Sequence, residues 1–215
     1  MTEYVVDRSF MTSVERTPRV LEIAEAFGLG LSDKKFVVYD NLKIEIREGD
    51  VVYITGQSGS GKSLLLRDLA EKMANGGLKI ANLDEIILPD VPVIDCLGKD
   101  TLDATNLLSK AGISDAYLYT RKPKELSDGQ RYRLRLAKVM EQDDADVWIA
   151  DEFGAVLDRN TAKAVAFNIA KVARAKNKRL MVATTHTDLL SELAPSLTIM
   201  KRFREKVEIT KGEAT

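Results

Sequence analysis

Cysteine is nearly missing from these 215 residues; histidine and tryptophan occur once each, prolines number 5, and aromatic residues make up 6%. Each scarcity excludes something. A single thiol, Cys96, cannot form an internal disulfide, and it fits a reducing cytoplasm rather than a stapled secreted domain. Its neighbours Val93, Ile94 and Leu97 make it a small buried hydrophobe before they make it a nucleophile. Few prolines, with 45% hydrophobic and 30% charged residues, exclude a disordered or collagen-like chain. No stretch approaches the ~20 consecutive apolar residues of a bilayer span, so no direct membrane insertion is expected. The opening residues Met1 to Phe10 contain Glu3, Asp7 and Arg8 and no apolar centre, which argues against a secretory signal. A net charge of −1 points by itself to no polyanionic partner.

What is present is an ordered alternation of elements, with no repeat, low-complexity tract or Pro/Gly/Ser-rich linker. Residues 1–30 read as an N-terminal extension. In it, Val20, Leu21, Ile23, Ala24 and Phe27 form an apolar stripe on a short helix beginning near Pro18. Residues 31–215 read as one domain. Phe36 to Ile46 alternates as strands do, and Val51 to Thr55 is β-branched and apolar, as expected of a strand covered on both faces. Helices are expected at Lys62–Met73, Thr101–Lys110, Ser114–Tyr119, Asp128–Met140 and Thr161–Ala175, and strands at Leu83–Leu88, Val147–Ala150 and Leu180–Thr185. Buried strands alternating with helices define an α/β fold with a largely parallel central sheet.

One segment carries specific chemistry. Gly56, Gln57, Ser58, Gly59, Ser60, Gly61, Lys62 and Ser63 satisfy G-x-x-x-x-G-K-[ST], between an expected strand and an expected helix. Glycines let successive N–H groups turn inward around phosphate oxygens, and the following helix adds the positive end of its dipole. Lys62 supplies a point charge for β- and γ-phosphates, and the Ser63 hydroxyl is a Mg²⁺ ligand. Chance gives about one such match per hundred chains of this length, and fewer with the flanking elements required. A nucleoside-triphosphate site follows.

Further motifs select among phosphate-loop proteins. Val147-Trp148-Ile149-Ala150 delivers Asp151 and Glu152 at a strand end, where a carboxylate can hold Mg²⁺ and a neighbour can polarise water. Leu126-Ser127-Asp128-Gly129-Gln130 precedes that strand and opens a helix. Gly154-Ala155-Val156-Leu157-Asp158 follows it, and His186 lies 34 positions after Glu152. In this order the chain resembles the ATP-binding-cassette (ABC) ATPases, over about Phe36 to Leu190. The resemblance implies ATP and Mg²⁺ as cofactors and a head-to-tail homodimer, in which Ser127, Gly129 and Gln130 close over the γ-phosphate held by a second subunit. It also implies Asp151 on the metal, Glu152 as the residue orienting water, Leu157 and Asp158 as the D-loop, and His186 as the γ-phosphate contact. A P-loop small-molecule kinase gives no reason for Leu126–Gln130 before the Asp151 strand.

The departures are informative. Asp128 replaces the first glycine of the family's signature, so it is expected to face outward or to meet the partner subunit. From Lys62 to Ser127 is only 65 positions, which predicts a shortened helical subdomain at about 89–128. That stretch offers no clear Q-loop glutamine, leaving Glu85 or Asp90 as stand-ins. Phe27, Phe36 and Tyr39 are candidates to stack on adenine, although packing accounts for each. These features resemble soluble ABC ATPases more than transporter subunits, including those whose cassette is joined to a predicted acetyltransferase domain. Three outputs stand: a soluble motor or regulatory ATPase on a macromolecule, a transporter's ATP-binding subunit, and a low-turnover ATP-sensing dimerisation module.

Nucleic acid is a further candidate partner, through Arg131, Arg133 and Arg135 or Lys201-Arg202-Phe203-Arg204; solvated faces are the plainer reading. The charge asymmetry, 12 basic and 5 acidic residues from Arg159 onward against 20 and 28 before it, fits either.

Overall fold

A computed structural model describes residues 2–203 and 205–212. These fall into two compact units, Glu3–Ile44 and the residues from Glu45 on together with Thr2.

The smaller unit is built from β1 (Thr2–Thr12), α1 (Pro18–Phe27) and most of β2 (Lys34–Ile46), with β1 and β2 paired in a two-stranded sheet. Thr17 caps α1 by accepting the Val20 N–H, Pro18 fills the first helical turn, and Gly28 ends the helix at φ 62°. The expected apolar stripe is there, but only Ala24 on it is buried. β1 was not expected: Tyr4 and Val6 alternate into the interior, while the exposed Val5 between them blurs the period.

The larger unit holds β3 (Val51–Gly56), α2 (Lys62–Asn75), β4 (Ile80–Asn82), α3 (Thr101–Lys110), α4 (Ala116–Tyr119), α5 (Asp128–Glu141), β5 (Val147–Ala150), α6 (Arg159–Ala175), β6 (Arg179–Thr184), α7 (Leu190–Leu193), β7 (Leu197–Lys201) and β8 (Glu208–Lys211). Its six-stranded sheet has the order β4-β5-β6-β3-β7-β8, parallel except for the last pair. β3 lies between β6 and β7, which is why every residue from Val51 to Thr55 is buried. Val51 and Tyr53 join one cluster with Tyr132, Leu134 and Leu136 of α5 and Val165 and Ile169 of α6. Residues between them in β3 point the other way, and α2, packed on β3, β4 and β6, buries Leu65, Leu66, Leu69 and Met73. Helices thus cover a parallel sheet, as the alternation predicts.

One expected strand is misplaced. The strand lies at Ile80–Asn82, and Leu83–Glu85 is a 3₁₀ turn. The Asn82 side chain accepts the Asp84 N–H at 3.1 Å, and this turn ends the strand before Leu83. Between it and Ser127 stand only α3, α4 and two further 3₁₀ turns, so the helical segment is short. Cys96 is buried and its thiol is pushed up by that burial, consistent with a packing role. No helix among the described residues is long and apolar enough to cross a membrane.

Candidate nucleotide site

The parallel register gathers three strand ends at one edge of the sheet. Thr55 is level with Thr184, and Ala150 with Val182, so Gly56, Asp151 and Thr185 emerge side by side. Between them lies a cavity of about 500 Å³, lined by Ser58, Gly59, Gly61, Lys62, Ser63, Asp151, Glu152 and Ala155 and by residues 183–185.

Gly56 has φ 136°, and a Cβ there would come within 1.9 Å of the Lys201 carbonyl oxygen, so the loop starts hard against the end of β7. Gln57 fixes the same junction by accepting the Phe203 N–H at 3.0 Å. Gly59 (φ 70°) is different: a Cβ on it would meet nothing within 4 Å. Ser58, Gly59 and Gly61 border the open cavity. Ser60 Oγ is buried without a hydrogen-bond partner among the described residues. An orphaned donor and an open cradle beneath a helix N-terminus fit an anionic ligand.

Lys62 folds back over this loop, its Nζ donating to the carbonyls of Gly56 (3.0 Å) and Gln57 (2.7 Å). Burial lowers its pKa, while Asp151 and Glu152 act in the opposite sense. Ser63 Oγ donates to Asp151 Oδ1 at 2.9 Å, and the same oxygen accepts the Glu152 N–H at 3.0 Å. A hydroxyl facing a carboxylate beside a phosphate cradle is a hard-oxygen pair suited to Mg²⁺. No group of three or more His, Cys, Asp or Glu side chains forms a cage among the described residues, so the ion's other ligands would be water and phosphate. Glu152 adopts φ 45°, a left-handed conformation that costs a non-glycine residue about 1 kcal/mol or more.

Glu85 and Asp90 are engaged elsewhere: Glu85 accepts from Asn82 Nδ2 at 2.8 Å, and Asp90 pairs with Lys122 and Lys124. The carboxylate beside Asp151 is Asp84, which accepts the Asp151 backbone N–H. Burial first, and then Asp151, push the Asp84 carboxyl above its usual range, opposed by Arg135 and Arg67. Sequence reasoning missed it. The available signal was position: Asp84 follows a strand parallel to β5.

Ser127 and Gln130 form a capping box, Ser127 Oγ accepting the Gln130 N–H (3.3 Å) and Gln130 Oε1 the Ser127 N–H (2.9 Å). Gly129 packs under Val156 and Leu157, where a Cβ would lie 3.2 Å from the Val156 carbonyl oxygen. Asp128 is exposed and paired with Arg131, as an outward-facing residue would be. None of residues 126–130 lines the chain's own cavity. Asp158 caps α6 from Oδ1 to the Thr161 N–H (3.0 Å). His186 lies just beyond the cavity; its carbonyl accepts from Tyr53 Oη and, at 3.1 Å, from Thr55 Oγ1.

Of the basic groups considered for nucleic acid, Arg135 has its Nε buried without a hydrogen-bond partner among the described residues, and others have partners within the chain. Arg131 donates to Leu126 O, Arg133 to Gly129 O and Gly112 O, and Arg202 pairs with Glu205 and Glu208. Arg204 lies outside the described residues. Of the adenine candidates, Tyr39 is buried and Phe27 is exposed.

A phosphate loop at the carboxyl edge of a parallel sheet, with an acidic pair on the strand two places away, defines a P-loop nucleoside-triphosphatase fold. Comparison with known proteins narrows the class. A family profile described as "ABC transporter" matches residues 39–86. The chain is 25% identical to the methionine import ATP-binding protein MetN of Streptomyces griseus, over 80% of this chain and 59% of that protein. It is 28% identical to the aliphatic sulfonates import ATP-binding protein SsuB 2 of Rhodococcus jostii, over 86% and 82%. Among solved structures, a dimeric ATP-binding cassette in a post-hydrolysis state with ADP and phosphate superimposes at a TM-score of 0.66, with 16% identity and full coverage of both chains. The chain is thus similar in sequence to ABC ATP-binding proteins, and its fold is that of an ATP-binding cassette. It spans only about three fifths of the MetN relative's length.

Proposed function

We propose that this chain binds Mg-ATP in the cavity above Gly56–Ser63 and hydrolyses it as a head-to-tail pair, on the cytoplasmic side of the cell. The observation that carries the reading is the Ser63 Oγ–Asp151 Oδ1 contact of 2.9 Å beside a retracted, buried Lys62. Mg²⁺, when bound there, neutralises charge on the β- and γ-phosphate oxygens. Ser63 and Asp151 would hold it, and Asp84, in the turn after β4, steadies the Asp151 backbone. Lys62 releases its two loop carbonyls and turns to the phosphates. Glu152, held at the cavity wall, orients the attacking water, and His186 contacts the γ-phosphate from the β6 side. The capped helix start at Ser127–Gln130, exposed at Ser127 and Asp128 and outside its own cavity, supplies the second wall to a partner copy. Binding energy then favours the paired state, because only pairing encloses the triphosphate.

The shortened segment between α2 and α5 supports a soluble motor or regulatory ATPase, acting on a macromolecule or on a joined domain. The relatives' names favour a second reading, the ATP-binding subunit of an importer. Glu152→Gln tests the shared core of both. It is expected to slow phosphate release about 10²-fold or more and to accumulate an ATP-bound dimer on a sizing column. Hydrolysis at the wild-type rate overturns the role given to Glu152. Proteins co-purifying with the trapped dimer separate the two outputs, an integral membrane partner favouring the importer.

A further inference from the structure

Arg159 opens α6 with a positive charge where the helix dipole disfavours one, and the first turn of α6 contains no acidic residue. Its side chain is committed at two points. Nε pairs with the Asp188 carboxylate, and Nη1 lies 2.8 Å from His186 Nδ1. A guanidinium has donors only, so His186 Nδ1 must be the acceptor in this contact. A neutral imidazole accepting at Nδ1 carries its proton on Nε2. The rest of His186 is held as firmly. Its N–H donates to Thr184 Oγ1 at 3.2 Å, and its carbonyl is tied to Tyr53 and Thr55 of β3. The ring's free edge is therefore the Nε2–H edge.

From this we infer that Arg159 is a positioning residue that sets the tautomer of His186, presenting Nε2–H as a hydrogen-bond donor. Through it the N-terminus of α6, immediately after the Glu152–Asp158 turn, is mechanically linked to His186. The value of a fixed Nε2–H for catalysis rests on the proposed contact between His186 and the γ-phosphate. The tautomer itself does not. Arg159 suits this task better than lysine would, because its fork reaches Asp188 and His186 together.

His186 is the sole histidine of the chain, so its imidazole nitrogens can be read by long-range nitrogen-15 to proton NMR without assignment. At a pH where the ring is neutral, the nucleotide-free protein is expected to show the Nε2–H form. Arg159→Ala is expected to lower the ratio of Nε2–H to Nδ1–H forms about tenfold, the factor a charge-assisted hydrogen bond supplies. Asp188→Asn, which keeps Arg159 but frees its Nε, is expected to lower the ratio in the same direction. It serves should the alanine variant fail to fold. A wild-type ring protonated at Nδ1, or a ratio unmoved in the variants, overturns the inference. If the ratio responds to Arg159 but Mg-ATP added to Glu152→Gln leaves the Nε2–H signal unmoved, the tautomer assignment stands and the γ-phosphate role of His186 falls.

Discussion

Ser63 Oγ and Asp151 Oδ1, 88 residues apart in the chain, are hydrogen-bonded at 2.9 Å across the mouth of the phosphate loop. The pair joins the first turn of α2 to the end of β5, so the strand order of the sheet brings it together rather than any local sequence.

Asp151→Asn should separate metal from nucleotide. Mg-ATP affinity is expected to fall ten- to a hundredfold, roughly the worth of one charged ligand contact, whereas ATP binding in the presence of EDTA should change by less than about threefold. Calorimetric titrations in both buffers decide it. Equal losses with and without the metal would remove Asp151 from the Mg²⁺ site.

Two glycines of the loop should fail in opposite ways. Gly56→Ala sets a Cβ 1.9 Å from the Lys201 carbonyl oxygen at φ 136°, and backbone cannot yield as a side-chain tip does. It is expected to cost about 3 kcal/mol or more, read from the denaturant midpoint. Gly59→Ala meets open space and is expected to cost only about 1 kcal/mol for its left-handed φ of 70°. Gly59 also lines the cavity above the loop, so ATP binding is expected to weaken sharply in a protein that still folds. Wild-type ATP affinity in Gly59→Ala would show that the phosphates lie elsewhere.

Hydrogen bonds from the Thr161 side chain and N–H hold the Asp158 carboxyl below the usual carboxylate range. Its folded-state pKa lies below the unfolded value of ~3.9. The contribution is therefore complete above that value and is lost as pH falls through the lower folded-state one. Asp158→Asn keeps a capping oxygen without the charge. The wild type should melt higher at neutral pH, and the gap should close as the solution is acidified through that window. A gap independent of pH would remove the charge from the capping interaction.

Legibility in the sequence followed how tightly chemistry constrains residue type. The loop Gly56–Ser63 stands out because phosphate binding restricts the side chains that fit at fixed spacing, whereas Asp151, Glu152 and His186 are singled out only by an order of motifs that resembles the ABC ATPases. The unbroken apolar run of β3 and the helical periods of α5 and α6 were readable because burial restricts side chains in the same way. Asp84 was not, because a three-residue strand has no period to read and its end is set by the Asn82 side chain. The Arg159–His186 contact joins residues 27 apart through the crossover from α6 to β6, and no local pattern marks it. β1 was hidden because Val5 interrupts the alternation of Tyr4 and Val6.

The seating of Gly56 on Lys201 and of Gln57 on Phe203 makes the phosphate loop hostage to a stretch nearly 150 residues downstream. A truncation ahead of β7, or a tag spliced into the turn after it, would take away the floor on which the loop rests. Such an alteration should silence nucleotide binding while leaving every motif residue intact.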